Sequence, residues 1–478
     1  MRYIVSPEEM RALEAEAFEQ GVSSLLLMET AARRAFEVLC GMTDRGSTAV
    51  FLCGPGNNGG DGLAMARMFH TEYGRSRVIL PQQPGTPDAG INLQYAKALG
   101  IPVCRDAEGL QGAQVIVDAL FGTGFRGTVD PGSGWGLLID AANASGVPIL
   151  AVDIPSGMNG LTGETGGACI RASKTATFHA AKRGLVFTPH RDHAGEVIVA
   201  DIGLSRHAGI PCAQDLGEVL PPRAADAHKG DCGRVVIRAG SMGMAGAAVM
   251  AAMACLRAGS GLVTVVCPRS VIPILQKTVP NAMCLAAEDE PQIRCDACLM
   301  GPGLEETEET WGQILSLHGK GAWEVWDAGA LNLLAKHPMS LGEQAVITPH
   351  VGEAARLLEC DAAKILADMP GAASELSRKY RCSSVLKSSV TVMCTWDGQI
   401  AVNTVGSPAL AKGGSGDALA GILASLLGQG LPLLQAMQAA CLWHGRAGQL
   451  AGQKYGIRSA LTGEVIECMG EAARIREE

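Results

Sequence analysis

Three stretches of the chain gather side chains whose oxygen atoms could do chemistry. The first is G-P-G-N-N-G-G-D-G, Gly54 to Gly62, carrying Asn57, Asn58 and Asp61. In the second, the apolar run Val115–Ala119 holds Asp118 and leads into G-T-G-F-R-G-T, Gly122 to Thr128. The third, Pro148–Asp153, ends in Asp153 and continues Ile154-Pro155-Ser156-Gly157. Each follows a β-branched or apolar run, so each stands at the carboxyl end of a predicted strand, where open parallel sheets bind ligands. Singly, these residues are common helix caps and turn residues. Together, Asn58, Asp118, Asp153 and Ser156 offer a pocket of oxygen ligands with a proton carrier.

A fourth stretch lies near the C-terminus, N-T-V-G-S-P-A-L-A-K-G-G-S-G-D-A-L-A-G, Asn403 to Gly421. Gly413-Gly414-Ser415-Gly416-Asp417 opens an apolar helix predicted over 418–427. Small residues before a helix N-terminus let backbone N–H groups converge on a phosphate-like anion, aided by the helix dipole. Asp417 is placed either to take a proton from an attacking hydroxyl or simply to cap the helix.

Gly54–Gly59 also matches G-x-G-x-x-G after a strand, the form of a dinucleotide fingerprint. That fingerprint requires an acid about 20 residues on to take the ribose hydroxyls. The next strand ends Val78-Ile79-Leu80-Pro81-Gln82 without one, which argues against a hydride-transferring dehydrogenase.

Strands and helices must alternate to position these groups. Ser6-Pro7-Glu8-Glu9 is a capping box with proline at the first helical position. A second helix is predicted over 24–40. Strand patterns follow at 49–53, 77–80, 115–119 and 148–153, alternating with helices at 62–72, 92–99 and 135–144, and two more strands fall at 175–178 and 195–199. The pattern lapses across Pro211–Lys229. It then resumes with strands at 234–238, 263–267, 298–300, 323–326, 345–347, 384–386 and 391–395, and the chain ends in helices. Apolar strands alternating with helices indicate parallel sheets covered on both faces. The expectation is two α/β domains, 1–214 and 215–478.

The composition agrees. Of 478 residues 61 are glycine, nearly twice the average usage of about 7%, and only 4% are aromatic. That suits α/β domains with many tight strand-to-helix turns. A net charge of −9 without any basic run excludes nucleic acid as a partner. The sixteen cysteines are scattered through apolar runs, and only Cys295 and Cys298 form C-x-x-C, with no second pair or histidine cluster nearby. They read as small buried hydrophobes in a reducing compartment. Residues 245–266 contain Arg257 and three glycines, and 418–434 are broken by Gly428 and Gly430, so neither offers the roughly 18 uninterrupted apolar residues of a spanning helix. A cytoplasmic protein with no membrane partner is expected.

N-N-G-G-D-G, V-D-A-L-F-G-T-G and V-D-I-P-S-G, in this order, resemble the NAD(P)H-hydrate epimerase domain over roughly residues 1–210. The resemblance implies a Rossmann-like α/β/α fold that binds hydrated NAD(P)H, with K⁺ held near Asn58, Asp118 and Ser156. It assigns the substrate to Asn57, Asn58, Gly59, Gly60 and Asp61, to Gly122, Thr123, Gly124, Phe125, Arg126, Gly127 and Thr128, and to Asp153, the candidate acid/base. Lys182 matches a lysine in the family's T-x-x-x-x-K stretch, and a plain surface lysine is the other reading. The hydrate carries a hydroxyl on C6 beside the ring nitrogen, so its R and S forms exchange by loss and return of that hydroxyl, a task for a positioned carboxyl group.

From residue 222 to about 475 the chain resembles the ADP/ATP-dependent NAD(P)H-hydrate dehydratases, a ribokinase-like α/β group. The motifs are H-K-G-D-C-G-R-V, G-S-M-G-M-A-G-A, G-P-G-L, I-T-P-H-V-G-E-A-A-R-L and Y-R-C-S-S-V-L-K, with the segment ending at Asp417. The resemblance implies that Ala247, Gly303, His350 and Asp417 contact the hydrate. It places the nucleotide on Lys387, Ser388, Ser389, Val390, Thr391 and Gly416, with Mg²⁺. His350 alone would read equally as a loop histidine. Three departures stand out: K-S-S-V-T in place of K-G-A-G-T, Gly329 where an aspartate is usual, and Glu305 after G-P-G-L in place of glycine.

The function implied is metabolite repair of hydrated NAD(P)H. An epimerase interconverts R- and S-NADHX or NADPHX, and a dehydratase phosphorylates the S form and expels phosphate, with ADP giving AMP expected over ATP. A homo-oligomer is expected. The alternative is a ribokinase-like kinase of a vitamin alcohol with a non-catalytic N-terminal ligand-binding module. T-P-H-x-G-E and the four oxygen-bearing residues of the N-terminal half count against it, and accumulation of a phosphorylated product would support it.

Overall fold

The computed structural model describes residues 2–187, 191–204, 208–289, 293–320 and 322–474. It divides into two compact units, one of residues Tyr3–Ile210 and one from Pro211 onward, against the expected boundary at 214/215.

In the first unit β1 (Arg2–Val5) precedes the helices Pro7–Glu19 and Ser24–Cys40. Ser6 and Glu9 close the predicted capping box, with Glu9 N donating to Ser6 Oγ at 3.1 Å. The strands β2 (Thr48–Cys53), β3 (Arg75–Ile79), β4 (Val103–Cys104), β5 (Val115–Ala119), β6 (Ile149–Val152), β7 (Lys174–Phe178) and β9 (Glu196–Ala200) form one seven-stranded sheet, while β8 (Ala181–Lys182) pairs with β1. The sheet order is β4-β3-β2-β5-β6-β7-β9 and every pairing is parallel. Both faces are covered. Ala49, Phe51 and Cys53 of β2 enter one core and Val50 and Leu52 the other, as the two-residue period of a strand requires. The order reverses between β2 and β5, and the carboxyl ends of β2, β5 and β6 carry the Gly54 loop, Asp118 and Asp153.

Next, β10 (Ile210–Cys212) spans the division. The second unit holds β11 (Arg234–Arg238), β12 (Leu262–Cys267), β13 (Met283–Ala286), β14 (Ala297–Met300), β15 (Trp323–Trp326), β16 (Ala345–Ile347), β17 (Ser383–Leu386), β18 (Thr391–Cys394) and β19 (Ile400–Asn403). Its sheet runs β13-β12-β11-β14-β15-β16-β17-β18-β19, parallel as far as β17 and antiparallel through the last two pairings. The helices Ala245–Arg257, Ser415–Gly428 and Leu433–Tyr455 share one core with Val235, Ile237, Val265 and Leu299 of the sheet.

Two glycine-rich helix starts differ from expectation. The helix predicted over 62–72 begins at Asn57, and the one predicted over 418–427 begins at Ser415. Low helix propensity of N-N-G-G-D-G and S-G-D argued for turns, but packing overrides it. A Cβ on Gly59 would stand 1.9 Å from Gly54 O, and one on Gly62 2.6 Å from Ala119 Cβ, so the helix can lie this close to the sheet only with glycine.

Candidate active sites

A cleft of about 530 Å³ opens at the carboxyl edge of the first sheet. It is lined by Asn57, Asn58, Asp61, Gly122–Phe125, Asp153 and Lys182, with Glu14 and Met28 from the first two helices. Gly56 caps the helix Asn57–Glu72 without any side-chain bond. Among the described residues the amides of Asn57, Asn58 and Gly59 have no partner, which leaves them for an anion. Phe121 and Phe125 stack at 4.8 Å between ring centres beside this edge.

Asp118 and Ser156 lie beneath the cleft, each fully buried. Ser156 donates twice to Asp118, from N to Oδ2 at 2.8 Å and from Oγ to Oδ1 at 2.6 Å, and Phe121 N donates to Ser156 Oγ at 2.9 Å. Burial pushes the Asp118 carboxyl up to about 6, held back by these bonds from Ser156 and by the Leu120 amide. Asn58 stands over this pair of strand ends: a Cβ on Gly122 would lie 3.2 Å from its Cβ and Cγ, and its buried Nδ2 has no partner. Amide, hydroxyl and carboxylate oxygens suit a hard cation.

Asp153 takes a positive φ of 68°, a conformation few non-glycine residues adopt. Its Oδ1 pairs with Lys182 Nζ at 2.6 Å, and its Oδ2 accepts from Thr123 N at 3.3 Å. Lys182 is 1% exposed, so it is no surface lysine. Its Nζ also donates to Thr177 Oγ1 and Phe178 O, both at 3.0 Å. The β1–β8 pairing, with Val5 opposite Lys182, aims this short strand at the cleft. Gly59, Gly60, Arg126, Gly127 and Thr128 do not line the cleft, and Arg126 pairs with Glu8 at 3.2 Å.

In the second unit Gly414 caps the helix Ser415–Gly428 with φ 89° and no side-chain bond. Asp417 sits in its first turn. Lys387, following β17, places Nζ 2.7 Å from Oδ1 of Asp327, which follows β15 and is 1% exposed. Thr348 Oγ1 donates to the same Oδ1 at 2.8 Å. A Cβ on Gly416 would stand 3.1 Å from Lys387 Nζ, so this pair abuts the helix start. Burial raises the Asp417 carboxyl to about 7; the Asp327 and Glu353 charges add to the rise and Lys387 opposes it. Burial works against the Lys387 ammonium, yet Asp327 and Glu353 hold its pKa above the ordinary lysine value.

Ala247 and Gly303 come together. Gly303 has φ +63°, and a Cβ there would fall 2.9 Å from that of Ala247. His350 caps the helix Val351–Leu358, its Nδ1 accepting from Gly352 N at 2.9 Å and Glu353 N at 3.3 Å. Acceptance at Nδ1 puts the proton on Nε2, which lies 3.6 Å from Glu353 Oε1. In the turn from β17 to β18, Ser388 and Ser389 are exposed and Val390 buried, with no left-handed residue, so the two glycines of the family pattern are not required there. Gly329 begins a helix where a Cβ would meet Leu304 O at 2.9 Å, which leaves little room for a larger residue.

Asp327, Glu353 and Glu14 were not singled out from the sequence. Asp327 ends a strand as Asp118 does, and the same strand-end rule finds it. All sixteen cysteines are free. Among the described residues no helix is long and apolar enough to cross a membrane, and no three His, Cys, Asp or Glu side chains converge to hold a metal.

Residues 24–184 match the family described as YjeF-related protein N-terminus, and residues 235–469 match NAD(P)H-hydrate dehydratase. A protein of Coxiella burnetii named bifunctional NAD(P)H-hydrate repair enzyme is 35% identical over 98% of this chain and 98% of its own. This chain belongs to the bifunctional NAD(P)H-hydrate repair enzymes. A family member from Escherichia coli is 36% identical over 97% of this chain and 92% of its own. Among solved structures, an ADP/ATP-dependent NAD(P)H-hydrate dehydratase from Bacillus subtilis, co-crystallised with ATP and Mg²⁺, superimposes with a TM-score of 0.51. It is 26% identical and covers 56% of this chain and 98% of its own.

Proposed function

We propose that the two clusters divide the repair of hydrated NAD(P)H, the first interconverting the R and S hydrates and the second dehydrating the S form at the expense of a nucleotide. The observation that carries this reading is that one chain holds both, Asp153–Lys182 in the first unit and Asp417 beside Lys387–Asp327 in the second, in a family of bifunctional repair enzymes.

In the first cleft, the free amides of Asn57, Asn58 and Gly59 receive the anionic part of the hydrate. Asp153 exchanges the proton that accompanies loss and return of the C6 hydroxyl, and Lys182 holds its carboxylate in place. K⁺ fits the oxygens of Asn58, Asp118 and Ser156, where it would supply a fixed positive charge. A nearby cation also favours the ionised form of Asp118 against its burial.

In the second site, the amides of Gly416 and Asp417 and the turn Lys387–Thr391 receive ADP or ATP. Mg²⁺ fits as a companion of the nucleotide phosphates, since it is commonly held by one or two carboxylates plus substrate phosphates. Ala247, Gly303 and the Nε2–H of His350 face the hydrate. Asp417 removes the proton of the C6 hydroxyl, whose oxygen takes the terminal phosphoryl group. Phosphate then leaves C6 as C5 loses a proton, restoring the dihydropyridine. A base near 7 suits this step, because proton transfer is most effective when the pKa lies near the working pH.

Recovery of dihydropyridine absorbance from a mixed R and S hydrate, with Mg²⁺ and ADP or ATP, tests both halves. Complete recovery by the unaltered chain, above the spontaneous rate, and a stall after the S portion with Asp153→Asn are expected. No recovery with either nucleotide overturns the dehydratase, and recovery of the S portion alone by the unaltered chain overturns the epimerase.

A further inference from the structure

Four carboxyl groups line the cleft of the first unit, Glu14, Asp61, Asp88 and Asp153, with the Lys182 ammonium and the Arg11 guanidinium. The cations near Asp61 are each bound elsewhere. Lys182 pairs with Asp153, Arg67 on its own helix pairs with Glu29 of the helix Ser24–Cys40, and Arg11 pairs with Glu8. Asp61 is 9% exposed, lines the cleft, and has no hydrogen-bond or ion-pair partner among the described residues. A buried carboxylate without a partner is costly, and such a group keeps its proton instead.

We propose that Asp61 is the proton donor of the epimerisation, working opposite Asp153 and its Lys182 partner. The assignment rests on the epimerase reading above. Its proton passes to the C6 hydroxyl oxygen, the C6–O bond breaks, and the ring-nitrogen lone pair forms the C=N bond as water leaves. Water then adds to either face of C6, the C=N electrons return to nitrogen, and Asp153 accepts the proton of the added water. Exchange through the open cleft returns that proton to Asp61, so the cycle consumes none. Asp61 is buried without a partner while Asp153 is held by Lys182, so the two carboxyls stand in different environments. Asp61 is raised well above the ordinary carboxyl range by burial and by the charges of Asp153, Glu14 and Glu29.

The test uses the full chain and measures epimerisation of pure S hydrate to the R form by chiral separation, with hydrate affinity measured alongside. Asp61→Asn keeps the shape and a hydrogen-bond donor but has no proton to give. Its kcat is expected to fall roughly 10²–10⁴-fold with hydrate affinity kept within about threefold, as for a group whose loss affects mainly the transition state. Asp61→Glu is expected to restore part of the rate and the alkaline limb of the pH profile. Unchanged circular dichroism and an unchanged denaturant midpoint of the first unit report that the variants are folded. Epimerisation by Asp61→Asn near the unaltered rate overturns the proposal, as does a fall in rate matched by a fall in affinity. Absence of epimerisation in the unaltered chain overturns the epimerase reading itself.

Discussion

Lys387 Nζ lies 2.7 Å from Asp327 Oδ1, so this ammonium is directed at a carboxylate other than the catalytic candidate. Asp417, one residue past Gly416, is left facing two negative charges, Asp327 and Glu353, and a cation already engaged. Its carboxyl rises to about 7 by burial first and by those charges second. A base in that state is half protonated near neutrality. The dehydratase rate is therefore expected to climb with pH through about 7 and then level.

Glu353→Gln tests the origin of that limb. The glutamine keeps an acceptor for the 2.8 Å bond from His350 N while removing one negative charge from the surroundings of Asp417. Removing a charge that raises a carboxyl lowers it, so the acidic limb of kcat/KM should move to lower pH. Neutralising Lys387 removes a charge that lowers it, and Lys387→Gln should move the limb up. A limb that stays in place in both variants would assign it to another group.

The first site makes a parallel prediction about K⁺. Burial holds Asp118 at about 6, and a cation bound there must displace its proton. Activation of the epimerase by K⁺ should therefore weaken as pH falls through about 6 while the affinity for S hydrate is retained. A titration of K⁺ against rate at several pH values reads this directly. Equal K⁺ dependence at pH 5 and pH 8 would separate the cation from Asp118.

Much of this was legible in the sequence, and the failures have physical causes. Strand ends were visible because apolar β-branched runs stop at polar residues, which located Asp118 and Asp153. The starts of the helices at Asn57 and Ser415 were hidden, since glycine and asparagine read as turns while tertiary packing selects them for closeness. β13 escaped because its apolar run, Ala282 to Ala287, contains no β-branched or aromatic residue, and Met283 and Leu285 are exposed on an edge strand. β19 had a signal, Asp397-Gly398 between two apolar runs, the mark of a hairpin. The ion pairs could not be read at all. Lys182 meets Asp153 and Lys387 meets Asp327 across long stretches of chain, and only the sheet order brings them together.

Close backbone approach gives a steric prediction. A Cβ on Gly59 would stand 1.9 Å from Gly54 O, and neither atom sits on a flexible side chain. Gly59→Ala should shift the helix off the sheet, destabilise the first unit by about 2 kcal/mol or more and remove epimerisation. Gly124→Ala adds a Cβ with nothing within 4 Å and should leave stability unchanged. Denaturant unfolding of the two variants checks the contrast, and equal midpoints would refute it.

The buried pair in the first cleft allows charge and position to be separated. Lys182 is 1% exposed and its Nζ is 2.6 Å from Asp153 Oδ1, so removing either partner leaves a buried charge without compensation. Lys182→Met is expected to destabilise the unit by about 3–5 kcal/mol, the range for breaking a buried pair from one side. Adding Asp153→Asn to Lys182→Met removes the stranded carboxylate, and most of that stability should return. Activity should not return, because the carboxyl that exchanges the proton is gone. Unfolding of the single and double variants beside their epimerase rates forms a double-mutant cycle that measures the coupling. Stabilities that simply add would show that the pair contributes nothing beyond its parts, and the positive-φ geometry of Asp153 would then need another support.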